Sequence, residues 1–325
     1  MTNILITDAV DEKYVNMLKS ISGFDVDFRN GITPEQLAEI IGNYDCIIVR
    51  SRTKLTDKLI GKAKRAKLIV RAGVGTDNIN ILAASAMNIP VANTPWANVV
   101  SAAELTFTLM LMVCRNAGQA NASMHEGKWE TLKFTGTELN EKVIGIIGLG
   151  RVGREVARRA RAFQMTVMAC DPFIGQGVAD TVGAKLVPME RLLEEADIVS
   201  LHASMMAGNV HLIGPNELSR MRKGSVLINT ARGEMVDTAA LAEALKSGRL
   251  AGAGLDVFEG EPAVNGALAQ LPSVVMTPHI GAQTREAQSR VGKEVVEVVQ
   301  AFFGRNEWIN VVNESGVKQS GAGQT

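Results

Sequence analysis

Short apolar runs alternate with longer stretches of mixed apolar and charged residues along almost the whole chain. This is the pattern of buried parallel strands covered by amphipathic helices. In the first third, the runs that read as strands are Ile4–Thr7, Phe24–Phe28, Cys46–Val49, Leu68–Arg71 and Val91–Asn93. Two helices between them have marked starts. Thr33 stands before Pro34 as a cap before a first-turn proline, and Thr56 stands before Asp57 and the run Lys58–Ala66. An apolar segment from Ser101 to about Ser123 reads as one helix leading into a second series of strands: Val143–Ile147, Thr166–Cys170, Ile198–Leu201, Val226–Asn229, Gly252–Val257 and Val274–Thr277. A last helix, capped by Thr284, is expected over Arg285–Phe303.

Strands that alternate with helices from end to end predict an α/β protein with two doubly wound parallel sheets. The last helix carries the chain away from the second series, so the first domain is expected to be discontinuous, 1–98 with 285–313, around a cofactor domain at 99–284. The stretch 314–325 lacks apolar periodicity and is expected to be a disordered tail.

The most specific local feature joins the strand Val143–Ile147 to a helix through Gly148-Leu-Gly-Arg-Val-Gly153. Gly148 permits the tight turn, Gly150 lets the backbone approach a pyrophosphate, and Gly153 allows the helix to pack closely on the sheet. The next strand ends at Asp171, about 20 residues on, as a dinucleotide site requires. A carboxylate there accepts hydrogen bonds from ribose hydroxyls and repels a ribose phosphate, and Pro172 and Phe173 supply no cation to offset the repulsion. The expected cofactor is therefore NAD rather than NADP.

Charge narrows the alternatives. Lys plus Arg and Asp plus Glu both number 34, which gives no general attraction to nucleic acid or to an anionic membrane. Cys46, Cys114 and Cys170 lie scattered in apolar runs without metal-ligand spacing, so thiols are expected rather than disulfides or a metal site. The N-terminus shows no signal-peptide pattern, and a reducing cytoplasm is the expected compartment. The apolar run Leu105–Cys114 is too short to span a bilayer.

Three strand-end segments beyond the glycine turn deliver polar groups to the carboxyl edge of the second sheet, where ligands bind in such folds. They are Asn229-Thr-Ala-Arg-Gly233, Leu255-Asp-Val-Phe-Glu-Gly-Glu-Pro262 and Thr277-Pro-His-Ile-Gly-Ala282. Hydride transfer to or from a hydroxy acid needs an acid/base, a group that orients it, and a cation for the carboxylate. His279, Glu261 and Arg232 have those chemistries. The plainer alternatives are a hydrogen-bonded loop histidine and a turn carboxylate ahead of Pro262.

In sequence, order and spacing these segments resemble the D-isomer-specific 2-hydroxyacid dehydrogenase family, over about Asn3 to Asn313. The resemblance implies a Rossmann-type cofactor domain inserted into a flavodoxin-like substrate domain. It also implies a catalytic set of Arg232, Glu261 and His279, with Asp256 beside the nicotinamide. Cofactor contacts are expected from Gly148, Gly150, Arg151, Val152, Gly153, Asp171, His202, Ala203, Thr230, Ala231, Asp256, His279, Gly281 and Ala282. The family holds the substrate carboxylate on the amides of a glycine loop, here Gly73, Val74 and Gly75, with Arg232 and His279 also touching substrate. Consecutive loop N–H groups form an anion nest, although an ordinary strand-to-helix turn would read the same way.

Arg50 and Arg71 end two strands of the first domain, with Arg52 nearby, and such a cluster suits a phosphorylated small acid. The alternative is a solvated rim. The rival substrates are unphosphorylated D-2-hydroxy acids, and a rival class is an NAD-sensing interaction protein like the corepressors of the family. A homodimer joined through the cofactor domains is also implied, because Leu105–Cys114 with Trp129 offers much apolar surface. Two departures stand out. Ala203 to Asn209 replaces the family's usual Pro-Leu-Thr-Pro turn, and the chain stops soon after the closing helix, so feedback through an appended regulatory domain is not expected.

Overall fold

The computed structural model describes residues 1–205, 207–262 and 266–318. Met1–Asn98 and the described residues from Gln283 to Lys318 form one compact unit, and Val99–Ala282 forms a second.

In the first unit, strands β1 (Thr2–Ile6), β2 (Phe24–Phe28), β3 (Cys46–Val49), β4 (Leu68–Arg71) and β5 (Val91–Asn93) form a parallel sheet in the order β2-β1-β3-β4-β5. This is the flavodoxin-like order. Every residue of β3 is buried, which explains its unbroken apolar text. Ile4, Ile6, Cys46 and Ile48 face Tyr14, Val15 and the closing helix Arg285–Gln300 on one side; Leu5, Ile47 and Val49 face Leu37, Leu59 and Ile60 on the other. The caps form as expected. Thr33 and Gln36 make a reciprocal capping box ahead of Pro34, and Thr56 and Thr284 accept from the amides of Leu59 and Ala287.

The second unit holds β6 (Val143–Ile147), β7 (Thr166–Cys170), β8 (Ala184–Leu186), β9 (Ile198–Leu201), β10 (Ser225–Asn229), β11 (Leu250–Leu255) and β12 (Val274–Met276). They pair in parallel as β12-β11-β10-β9-β6-β7-β8. Counted from β6 this is the Rossmann order extended by one strand, with its switch point between β6 and β9. The sheet therefore opens its ligand crevice at the turn after β6, where Gly148 stands.

Several expectations need correction. β8 was not anticipated, and β11 starts and ends two residues before the expected strand. The helix expected over Ser101–Ser123 is two helices, Val99–Cys114 and Ala117–His125, bent by 67° where Asn116 takes a left-handed conformation. The closing α-helix stops at Gln300 and ends in a wider turn, Ala301–Arg305. The terminal segment is engaged through Lys318, whose amide donates to Asn88 at 2.6 Å, while residues 319–325 of the expected tail lie outside the described residues. The apolar surface expected of Leu105–Cys114 is largely turned inward: Thr106, Phe107, Leu109 and Met110 are buried inside the unit. The exposed apolar groups come later, with Met124 54%, Trp129 83% and Leu132 91% exposed.

Among the described residues no single helix is long and apolar enough to cross a membrane.

Candidate active site

At the end of β6 the chain turns through Gly148, whose φ of +92° is a backbone state that favours glycine. A Cβ there would lie 2.5 Å from the Ala203 amide nitrogen, so the turn needs a bare backbone against the segment leaving β9. A Cβ on Gly153 would stand 2.2 Å from the Gly148 carbonyl oxygen, whereas one on Gly150 would meet nothing within 4 Å. Gly150 also caps the helix Arg151–Ala162 and, as a glycine, brings no side chain to the helix N-terminus, where an anion is favoured. Arg151 is exposed and Val152 half-buried at that opening.

Asp171, just past β7, accepts from the Leu149 amide and from the Phe173 amide, both at 2.8 Å. One oxygen is thus tied to the glycine turn, and each keeps a lone pair for a ribose hydroxyl. His202 packs beside the same turn, with Nε2 2.8 Å from Ser200 Oγ, and burial pushes its pKa down to about 3. It is therefore neutral at any physiological pH and suits a wall better than a proton carrier. Across the sheet, Thr230 Oγ1 pairs with Thr106 Oγ1 at 2.9 Å, and the Ala231 amide donates to the Asn229 side chain at 3.0 Å.

Three loops at the carboxyl ends of β10, β11 and β12 bring Arg232, Glu261 and His279 together. His279 Nδ1 lies 2.6 Å from Glu261 Oε2. A carboxylate only accepts, so Nδ1 carries the hydrogen and Nε2 is left for proton exchange. The Phe258 amide donates to the other Glu261 oxygen at 2.9 Å. Burial pushes Glu261 upward, but the bonds from His279 and Phe258, with the charges of His279 and Arg232, hold its pKa below the usual carboxylate value. The bond to Glu261 raises the His279 pKa above 6.5, against an opposing pull from burial.

His279 itself sits in a left-handed backbone state, φ +52°. Asp256 holds it there. Its carbonyl accepts the His279 amide at 2.9 Å, and its carboxylate accepts from Thr277 Oγ1 at 2.6 Å and from the amides of Ile280 and Gly281 at 2.8 Å each. Burial raises the Asp256 pKa, and those bonds offset the rise only in part. The Arg232 loop is set by Asn229, whose side chain donates to the Arg232 carbonyl at 2.8 Å. Gly233 presses on the loop that carries Glu261: a Cβ there would lie 2.0 Å from the Phe258 carbonyl carbon.

In the first unit, Arg71 ends β4 and Arg50 directly follows the neighbouring β3, where Val49 and Arg71 are register partners. The Arg50 guanidinium donates to the Ala9 carbonyl at 2.9 Å, and burial lowers its pKa. Arg52 is turned onto Asp8 at 2.8 Å and onto the Thr7 carbonyl at 2.6 Å. Arg71 folds over its own loop, with one guanidinium nitrogen 3.2 Å from the Ala72 carbonyl and lying where a Cβ of Gly73 would be. Beside the loop, Asn93 donates to the Val74 carbonyl at 2.6 Å and the Thr94 amide to the Gly73 carbonyl at 3.0 Å, which turns those two carbonyls inward.

The sequence profile of the D-isomer specific 2-hydroxyacid dehydrogenase NAD binding domain matches residues 107–281, more than half of the chain. The chain belongs to that family. The matched stretch takes in the cofactor-side residues from Gly148 to Gly281, and Ala282 follows one position beyond. D-3-phosphoglycerate dehydrogenase of Methanocaldococcus jannaschii is 41% identical over the whole of this chain and 62% of its own length; that of Archaeoglobus fulgidus is 43% identical over 90% of this chain and 56% of its own. The chain thus spans about three fifths of the curated relatives it matches. A glyoxylate reductase from Paecilomyes thermophila superposes with a TM-score of 0.90 at 32% identity, covering 97% of this chain and 99% of the other.

As a member of the 2-hydroxyacid dehydrogenases the second unit is an NAD-binding domain, and its residues fit that cofactor. The open space at Gly150, the helix N-terminus that follows it and the tethered Asp171 are what a pyrophosphate and a ribose require. Asp171→Ala is expected to weaken NAD binding by about tenfold or more, since bonds to a charged acceptor contribute roughly 1.5–3 kcal/mol, and to narrow the preference over NADP. Fluorescence titration with both cofactors checks this, and equal, unchanged affinities would remove Asp171 from the ribose. Among the described residues no group of three metal-ligating side chains occurs.

The sequence reading gave no role to two supports of this site, Asn229 and Thr277. Asn229 had a signal, as the polar end of an apolar strand. His211, read as structural or cofactor-lining, lies with Nε2 2.7 Å from Glu259, a partner 48 residues away that left no signal.

Proposed function

We propose that this protein oxidises D-3-phosphoglycerate at its 2-hydroxyl with NAD, giving 3-phosphohydroxypyruvate, a reaction that would feed serine biosynthesis. The observation that carries the chemistry is the 2.6 Å contact of His279 with Glu261 beside Arg232, within an NAD-binding domain. When bound, the nicotinamide supplies the hydride acceptor. His279 Nε2 takes the hydroxyl proton as the C2–H hydride leaves, Glu261 stabilises the resulting imidazolium, and Arg232 grips the carboxylate with two parallel N–H bonds. In the reverse direction the same imidazolium returns the proton to the carbonyl.

The choice of substrate rests on the relatives named for D-3-phosphoglycerate and on Arg50 and Arg71 at adjacent strand ends. The amides of Val74 and Gly75 would hold the carboxylate, the Gly73 amide donating to the Arg71 carbonyl at 2.8 Å, and Arg50 with Arg71 would hold the phosphate. Arg52 is bound to Asp8 and to the Thr7 carbonyl and is assigned to holding the turn rather than the ligand. A second reading, an unphosphorylated D-2-hydroxy acid, gains from the likeness to a glyoxylate reductase and from the way Arg71 covers its own loop. Formation of NADH from D-3-phosphoglycerate by the purified protein tests the activity, and no NADH from any D-2-hydroxy acid would contradict it.

We further propose a homodimer joined through the NAD-binding domains. The segment from Ala117 to Phe134 exposes Met124, Trp129 and Leu132, which a symmetric contact would cover. Sedimentation at micromolar concentration should show a dimer, and Trp129→Glu should shift it toward monomer. A wild-type protein that sediments only as monomer would reject the assembly.

A further inference from the structure

The turn that carries Arg50 and Arg52 is held from two sides by two residues to which the chemistry proposed above gives no part. Asp8, 3% exposed, takes its donors: the amide of Arg50 at 2.6 Å, the amide of Thr53 at 3.3 Å, Thr53 Oγ1 at 2.9 Å and Arg52 Nε at 2.8 Å. Asn78 takes its acceptors, donating from Nδ2 to the carbonyls of Arg50 at 2.6 Å and Thr53 at 2.7 Å. Both amide hydrogens of Asn78 are thereby used on one turn.

Asn78 also directly follows the glycine loop 71–77. Its carbonyl accepts the Leu55 amide at 2.8 Å, and the Leu55 carbonyl accepts the Asn80 amide at 2.9 Å, so the arginine turn and the glycine loop leave in one hydrogen-bonded ladder. We infer that Asn78 is a specificity-determining positioning residue: it fixes the spacing between the arginine turn and the glycine loop, and so the distance between two anionic groups on one ligand. This rests on the reading above, in which the loop holds a carboxylate and Arg50 a phosphate. Asn78 touches neither. It sets how far apart the two are held, and a rigid pair of subsites favours a ligand whose anions match that span.

Removing the side chain leaves two carbonyls without their partner and lets the turn move against the loop. A ligand anchored at both ends feels that movement, whereas one anchored only by its carboxylate does not. Asn78→Ala should therefore raise KM for D-3-phosphoglycerate by about tenfold, the scale of one to two lost hydrogen bonds, with kcat within about threefold. KM for D-glycerate and for NAD should move by less than about twofold. Asn78→Ser, which keeps one donor, should fall between the two, and thermal unfolding of each variant reports whether the unit is intact.

The outcomes separate the inference from its premise. A wild-type enzyme with no preference for the phosphorylated acid removes the reading and this inference together, before any variant is made. A wild-type preference that survives intact in Asn78→Ala overturns the inference alone. Equal losses on both substrates, or a fall in kcat with KM unchanged, would make Asn78 a structural residue and overturn it as well. If Asn78→Ala does not fold, Asn78→Ser is decisive: a reduced preference supports the inference and an unchanged one overturns it.

Discussion

Replacing His279 by alanine is expected to lower kcat by about 10²-fold or more, the scale of a lost general acid or base, while NAD affinity changes far less. The side chain sits in a left-handed turn, so alanine also strains the backbone. Asn tolerates that conformation better, and His279→Asn should be equally inactive if the loss is chemical. Glu261→Gln carries the sharper signature. The carboxylate raises the His279 pKa, so an amide in its place lets that pKa fall. Oxidation needs the neutral imidazole, and its acid limb should move to lower pH. Reduction needs the imidazolium, and its alkaline limb should move to lower pH too. pH–rate profiles in both directions check this; an unmoved profile at near-normal rate would leave Glu261 a turn residue.

Arg50→Ala should reduce kcat/KM for D-3-phosphoglycerate by about one to two powers of ten, because a charge-assisted hydrogen bond contributes roughly 1.5–3 kcal/mol. The variant is a clean one. The bonds that hold the turn use the amide and carbonyl of Arg50, which alanine keeps, so the losses are the guanidinium, its bond to the Ala9 carbonyl and its attraction to the Asp8 carboxylate. Activity on D-glycerate should move little. Equal losses on both substrates would place Arg50 in support of the fold or of the carboxylate. His279 and Arg50 thus divide the reaction between kcat and recognition, and His279→Ala should lower turnover of every substrate alike.

Much of this was legible in the text of the chain because parallel strands are buried on both faces and leave unbroken apolar runs. Ile198–Leu201 and Cys46–Val49 could be bounded to the residue. β8 could not: it is three residues long at the sheet edge, its Lys185 is exposed, and no period shows over that length. The bend at Asn116 interrupts no apolar run, since it depends on one residue adopting a positive φ that asparagine tolerates. The direction in which Leu105–Cys114 turns its apolar face was likewise hidden. A run that is apolar nearly all round does not say which side meets the sheet.

The candidate site divides in the same way. Glycine spacing and strand-end polar residues announced Gly148, Asp171, Arg232, Glu261 and His279, because close approach and tight turns leave a local signature. Second partners leave none. Asp8 meets Arg52 across 44 residues and Asn78 meets Arg50 across 28, and only the folded sheet brings them side by side. That Arg52 pairs with Asp8 while Arg50 two positions earlier reaches the Ala9 carbonyl depends on the buried carboxylate of Asp8 and not on anything in the Arg-Ser-Arg text itself.

The most direct test is to measure kcat/KM of the wild-type protein for NAD-dependent oxidation of D-3-phosphoglycerate and of D-glycerate under one set of conditions. Two arginines at the phosphate should favour the phosphorylated acid by about tenfold or more. Equal values, or a preference for D-glycerate, would contradict the assignment.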